Sequence, residues 1–456
     1  MKYPAAINDP ASSPQERLAA LREYERTGRG QSSPPPGGSG EINNHIHTIY
    51  SFSPYTPSMA ALMARDAGLE AAGSVDHDSI AAAEEMIAAC AALGIGGCTG
   101  FELRVSFKTG SDGKASAFAD RKINNPDSEG IVYMTVQGIP KPALAKVRDF
   151  LGPIQEKRRE RTMAMTAAAN AILAGAGLEE IDFGRDIYCH SKAAEGGEIT
   201  ERHLLAAAAD KLIKKFGRGP ALPEGLERCF AITPPAKIAA LLSDPGNPHY
   251  LYDLLGILKS AFLPRIFIQP DEEECIPAKT AVDFASSIGA IPAYAYLGDV
   301  GESPTGDKRA EKFEDEYLDE LFDELSRIGF KAVTYMPPRN SKEQLRRVRR
   351  LCAERDFMEI SGVDINSSRQ SFNCPEVLQD DFRHLIGTTW ALIAHERLSS
   401  ADPSLNLFAA DNPLASLSLQ SRIDAYAAAG RGLDLHKPEE SAYTAAREMR
   451  EGKYTI

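Results

Sequence analysis

His45-Ile46-His47, Asp76-His77-Asp78 and Glu102 are the residues whose types and spacing could act together. In a strand, positions i and i+2 point to one face, about 6.5–7 Å apart along the chain, so both imidazoles of His45 and His47 can converge on one ion. Alone, such a pair is more often two ordinary histidines. Here Asp76-His77-Asp78 and Gly100-Phe101-Glu102 close the next two predicted strands, so three successive strands finish in potential ligands. The carboxyl ends of strands are where sites form in barrels and open α/β sheets. Mixed imidazole and carboxylate donors suit Zn, Mn or Fe rather than a dedicated Ca or Mg cage. A dication held there lowers the pKa of its water from about 15.7 to about 7. Two ions about 3.5–4 Å apart can stabilise the attacking and leaving oxygens of an in-line displacement at phosphorus. Asp76 has three readings: it orients His77, binds metal itself, or caps a helix beginning near Ser79.

The elements that must position these residues alternate. Strands are predicted over 41–47, 72–76 and 99–105, with helices between them that carry Met59, Leu62 and Met63, then Ala83, Met86, Ile87 and Cys90. Units of this size point to an α/β fold with a parallel sheet or a barrel. Residues 110–130 read as a long polar loop before a strand at 131–136, and helical signals dominate 141–215. The proline-containing stretch 216–270 fits a cap or inserted subdomain. Alternation resumes with a helix at 278–287, a strand at 290–296, an acidic helix at 311–325, a strand at 332–335, a basic helix at 341–352 and a strand at 359–364. The charged runs on the last two helices read as solvated faces.

The first forty residues differ in composition. Ser13-Pro14-Gln15-Glu16 is a capping box with Pro at the first helical position, so a short helix should run to about Arg26. The Pro/Gly-rich run within 28–40 cannot continue it and reads as a linker. The expected division is residues 1–40 as extension and linker, 41–370 as the barrel with a helical insertion at about 141–275, and 371–456 as a C-terminal segment packing on the barrel. On this reading the extension lies outside the catalytic body.

A length of 456 residues admits two or three domains, and the 43% hydrophobic and 25% charged content is ordinary for a globular chain. A net charge of −13 argues against a nucleic-acid surface over much of the molecule, because neutralising phosphates takes clustered Lys and Arg. Neither a signal peptide nor a run of about 18 apolar residues is present, so a cytoplasmic protein without membrane partners is expected. The seven cysteines are scattered without a C-x-x-C pair, which fits small core residues in a reducing compartment and neither a disulfide framework nor a zinc knuckle.

The series His45-x-His47-Thr48-x-x-Ser51, Val75-Asp76-His77-Asp78 and Gly100-x-Glu102 resembles the first three motifs of the PHP (polymerase and histidinol phosphatase) superfamily. Ser361-Gly362-Val363-Asp364-Ile365-Asn366 resembles the fourth, Thr200-Glu201-Arg202-His203-Leu204 a ligand-bearing helix, and the stretch ending at Tyr296 a strand that in many members ends in Ala-His-Pro. The resemblance covers about 41–110, 195–215 and 276–370. It implies a distorted (β/α)7 barrel with up to three metals at the strand ends. His45, His47, Glu102 and Asp364 would hold one ion, Glu102 would bridge to a second beside His203, and His77 would serve a third. Catalytic roles would fall to Asp76, His77 and His203. Tyr296 and Asn366 stand where the family has histidines, and Phe52 where an acidic residue is common. One or two tightly bound ions are therefore expected, with Tyr296 and Asn366 facing substrate.

The function implied is hydrolysis of a phosphate ester, on a small phosphomonoester or a nucleotide. Arg369, five residues past Asp364, could grip the phosphate through its two-pronged guanidinium, or lie at the surface. His190 is a further candidate to line the cleft. Two other readings stand beside this one: metal-dependent hydrolysis of an amide, and a degenerate barrel kept for binding or assembly. An oligomer is compatible with each.

Overall fold

The computed structural model describes residues 3–27, 39–300 and 312–454. Of the linker expected within 28–40, residues 28–38 lie outside the described residues. Seven strands pair in chain order: β1 (Ile42–Ile46), β2 (Ala71–His77), β3 (Gly96–Ser106), β4 (Ile131–Gln137), β5 (Ile291–Ala295), β6 (Ala332–Tyr335) and β7 (Met358–Ser361). All neighbouring pairs are parallel except those of β4, which runs antiparallel to both β3 and β5. Its reversal follows from the β3–β4 link, a loop without a crossover helix that a parallel pair would need. The all-parallel alternative is thereby corrected.

The sheet curls into a nearly closed α/β barrel. Beyond β7 the chain meets β1 through a parallel bridge between Ile46 and Ile365, with His47 N–H donating to Ile365 O at 2.9 Å and Ile365 N–H donating to His45 O at 3.1 Å. Lower down, the Asn43 side chain replaces the ladder, donating to Val363 O and accepting from Val363 N–H. Gly362 makes this approach feasible, since a Cβ there would lie 2.6 Å from His45 Cβ. The predicted strand to Asp364 therefore stops at Ser361, where the chain leaves β6 to close on β1.

Helices α2 (Pro57–Asp66), α3 (Ala83–Leu93), α9 (Ala278–Ser287), α10 (Leu318–Ile328) and α11 (Lys342–Glu354) lie between strands in sequence. The acidic helix expected from 311, which lies outside the described residues, begins at Leu318, because the preceding carboxylates bind backbone elsewhere. Glu314 accepts from Leu297 N–H at 2.8 Å and Asp315 from Asp299 N–H at 3.0 Å. C-terminal helix α12 (His384–Ala401) packs against β7, β1 and β3 and joins them to α13 (Leu419–Arg431) and α14 (Pro438–Arg450) in one apolar core.

β4 ends opposite Gly100 of β3 and Ile291, the first residue of β5, so the chain leaves it heading toward the amino ends of the parallel strands. The next helix, α4 (Leu144–Gly175), has 32 residues, or roughly 48 Å at a rise of about 1.5 Å each. That length carries the chain back past the strand ends. Its last turns join α5 (Glu201–Phe216), α6 (Ala221–Phe230), α7 (Ala236–Ser243) and α8 (Tyr250–Ala261) around a second apolar core.

Helix α1 (Pro14–Arg26) has the expected capping box. It does not stand apart, however: Ile7, Leu21 and Tyr24 share a third core with α2 and α3, and Arg17 is fully buried.

Candidate metal centre

The β2–β3 register sets His77 directly beside Glu102, and their side chains meet at 3.0 Å between Nδ1 and Oε2. The β1–β2 register slips by one residue between Asn43 and Ile46, so β1 carries an extra residue where its histidines project. His45 Nε2 and His47 Nε2 lie 3.2 Å apart, and His47 Nε2 lies 3.3 Å from Asp364 Oδ1. Both imidazoles are 3.9 Å from Glu102 Oε2. Among the described residues two ligand groups emerge, His45/His47/Asp364 and His47/His77/Glu102.

This donor set fits a transition-metal ion. Two donors about 2.0–2.2 Å from a shared tetrahedral ion must lie roughly 3.3–3.5 Å apart, close to the separations within the first group. An imidazole nitrogen serves one ion only, so His47 cannot ligate two through Nε2. Glu102, with two oxygens, is the residue suited to link a second position on the His77 side.

His47 is fixed from behind. Its Nδ1 is 3.2 Å from Ser51 Oγ, which donates to Asp76 Oδ1 at 2.6 Å. Asp76 also accepts from Thr48 N–H and Thr48 Oγ1, both at 2.6 Å. Asp76 therefore orients His47 through Ser51 and neither touches the His77 ring nor caps a helix. With Nδ1–H given to Ser51, Nε2 is left with its lone pair toward the centre.

Electrostatics agree with a cationic guest. Burial holds His45 and, far more strongly, His77 in the neutral form, and it raises the Glu102 and Asp76 carboxyls. Burial also opposes charge on His47, but the hydrogen bond and charge of Asp364 outweigh it and raise that pKa. Asp364 is held below the usual carboxylate range because His47 and His45 overcome its desolvation.

Other expected site residues are placed differently. His203 belongs to neither group. Its Nδ1 accepts from Thr200 N–H at 3.0 Å as part of the α5 cap, its ring packs edge-on to Phe52, and burial lowers its pKa to about 3. Asn366 Nδ2 donates to Asp364 Oδ1 at 2.7 Å, so it orients a candidate ligand. Tyr296 lines the cleft, with its hydroxyl donating to Asp315 at 2.6 Å. Arg369 does not reach the cleft: Asp253 on α8 takes its guanidinium through two bonds, an acidic partner that proximity to Asp364 in sequence did not reveal. His190 is exposed on a short helix away from the cleft lining.

The cleft over the centre has a volume of about 210 Å³. Arg104, Arg158 and Arg202, none of them singled out from sequence, line it beside His45, His77 and Glu102. Arg104 and Arg158 are committed to the buried carboxylates Glu274 and Asp78 and to the half-buried Glu201. Arg202 is different. Its one hydrogen bond goes to Asn366 O at 2.9 Å, no carboxylate pairs with it among the described residues, and burial lowers its pKa. The signal that could have found it is its place in Thr200-Glu201-Arg202-His203, beside the residue chosen as ligand.

The barrel is the fold that the PHP resemblance implies. No family model and no curated protein matches the chain. Among solved structures, it aligns with an amidohydrolase from Chromobacterium violaceum, crystallised with sulfate and no metal, at 18% identity over 73% of this chain and 90% of that one, with a TM-score of 0.44. It also aligns with a protein from Bifidobacterium adolescentis designated a metal-dependent phosphoesterase, at 16% identity over 76% and 95% of the chains, TM-score 0.44. Likeness at this level assigns neither metal nor substrate. Among the described residues, no helix is long and apolar enough to cross a membrane.

Proposed function

We propose that the cleft hydrolyses a phosphate ester of a small molecule, with one or two Zn, Mn or Fe ions held by His45, His47, His77, Glu102 and Asp364. The observation that carries this reading is the convergence of His45, His47 and Asp364 within 4.8 Å, on the same cleft that Arg202 lines without a carboxylate partner. A bound dication supplies Lewis acidity and makes water acidic enough to attack near neutral pH.

The chain's own residues do the rest. His45, His47 and Asp364 supply the tight position, with Asn366 and Ser51 fixing the direction of the last two donors. Glu102 and His77 supply the adjoining position. The guanidinium of Arg202 takes the non-reacting phosphate oxygens, where its two-pronged donors match a tetrahedral anion. It orients the ester and balances charge that neither paired arginine is free to balance. Burial of the floor limits water to what the substrate leaves.

The test is a panel of phosphomonoesters and nucleotides, with amide substrates alongside, on protein loaded with Zn, Mn or Fe. Phosphate release is expected in the wild type and loss of it in His47→Ala. In Arg202→Gln, KM should rise about tenfold or more, as expected when an anion contact is removed. Amide turnover without phosphate release, or wild-type rates in His47→Ala, would overturn the reading.

A further inference from the structure

The β1–α2 loop, residues 47–56, is held from two sides. On the inner side Asp76 binds Thr48 and Ser51, as described above. On the outer side Ile7, Asn8 and Arg17 hold it, beside a single backbone bond in which Glu198 N–H donates to Tyr50 O at 2.7 Å. Asn8 Nδ2 donates to Pro54 O at 3.0 Å, and Asn8 Oδ1 accepts from Thr56 N–H at 2.9 Å. Thr56 Oγ1 donates to Ile7 O at 2.6 Å. Tyr55 O accepts from Ile49 N–H at 2.8 Å, so the two ends of the loop move together.

Arg17 makes a second grip. It is fully buried and forks onto Glu85 at 2.9 and 2.6 Å. Glu85 in turn accepts from Ser58 N–H and Ser58 Oγ, in the first turn of α2. The Arg17 guanidinium also lies beside the hydroxyl of Tyr50, the residue before Ser51. A buried guanidinium on α1 that meets a carboxylate on α3 and the carbonyl of Ser12 is a costly arrangement, and its geometry is fixed only while all partners are present. The loop carries Ser51, which sets the ring of His47, and Phe52, which packs on His203.

We infer that Asn8 and Arg17 are positioning residues for the metal centre, holding from outside the loop through which Ser51 orients His47. This rests on the metal-centre reading given above. Removing the outer grip leaves the loop tied at Asp76 and at the Glu198 N–H bond to Tyr50 O, with its Pro54–Thr56 end released, so Ser51 and the His47 ring gain freedom. Affinity and coordination geometry then change, although no ligand has been touched. Groups that act through a ligand's hydrogen-bond partner weaken metal binding by about 10- to 100-fold when lost, and one step further removed the expected effect is at the lower end of that range.

The experiment is Co2+ titration of the full-length chain, read by its visible d–d absorption. Asn8→Ala and Arg17→Gln are compared with Leu433→Ala, a buried change next to α13 that serves as a destabilised control. Asn8→Ala should weaken Co2+ binding about tenfold and alter the absorption envelope, and Arg17→Gln at least as much. Leu433→Ala should leave both unchanged even where its melting temperature falls further. If Arg17→Gln does not fold, Asn8→Ala decides. Wild-type affinity and spectrum in Asn8→Ala, or an equal change in Leu433→Ala, would reduce the segment to a stabilising role and overturn the inference. Absence of Co2+ binding by the wild type would instead remove the metal-centre reading itself, and the inference with it.

Discussion

Ser51 has one hydroxyl and two partners, and the order of donation decides what His47 can do. The Oγ–H goes to Asp76, which as a carboxylate can only accept, so the same oxygen must accept from His47 Nδ1–H. That fixes the tautomer whose Nε2 faces His45 and Asp364. Ser51→Ala removes the bond and leaves the ring free to turn, while Thr48 still satisfies Asp76. Zn affinity, measured by competition with a chelator, should fall about 10- to 100-fold. An unchanged affinity would show that packing alone orients the ring. The clustering of His45, His47, His77, Glu102 and Asp364 was legible in the sequence because strand ends bring such residues together whatever the details of the fold. Their orienting partners were less so. Arg369 is close to Asp364 along the chain but pairs with Asp253, whereas the arginine that lines the cleft without a carboxylate partner among the described residues is Arg202, brought there by the cap.

At the scale of elements, α4 makes one rigid connection between the barrel and the cap. Arg158 joins Asp78, which follows β2, to Glu201 at the start of α5, and Arg161 and Arg104 join Glu201 to Glu274. Three guanidiniums thus face three carboxylates, and burial raises the pKa of the Glu198 carboxyl beside them. Because these charges are desolvated, removing one leaves the others uncompensated. Arg158→Met should lower unfolding free energy by about 3–5 kcal/mol in urea titration, against under about 1 kcal/mol for an exposed pair such as Arg350 with Glu354. A loss as small as the exposed pair's would mean that water reaches the network. Helix α4 was expected from its alanines, yet this role was not, since arginines spaced by three residues read equally well as a solvated face. The N-terminal helix was misjudged for a related reason. A break in composition marks where a segment begins, but only the structure reveals that Arg17 and Leu21 are buried.

At the scale of the whole molecule, the chain uses α12 to seal the barrel from below, and buried charge there gives stability a pH dependence separate from the metal centre. Glu396 accepts from Thr99 N–H at 2.7 Å and pairs with Arg397 at 3.1 Å, yet burial outweighs both and raises its pKa from 4.5 to about 7. The barrel order was legible because alternation and strand-end chemistry repeat along the chain. The antiparallel β4 and the burial of α12 were not, since both depend on which distant element covers them. A carboxyl whose pKa is raised by folding binds its proton more tightly in the native state, so its contribution is complete below about pH 4.5 and is lost as pH rises through about 7. His395, next in the helix, works oppositely: burial lowers its pKa to about 4, so its contribution is lost as pH falls from about 6.5 toward 4. The two overlap in between, and a single stability curve would not separate them. The difference between wild type and Glu396→Gln does, because glutamine stays neutral at every pH. Relative to wild type, the variant should gain up to roughly 2–3 kcal/mol of stability between pH 5 and pH 8, read from urea midpoints in the presence of chelator. A constant difference would place the ionised carboxylate in the native fold throughout, and the Arg397 pair would then outweigh burial.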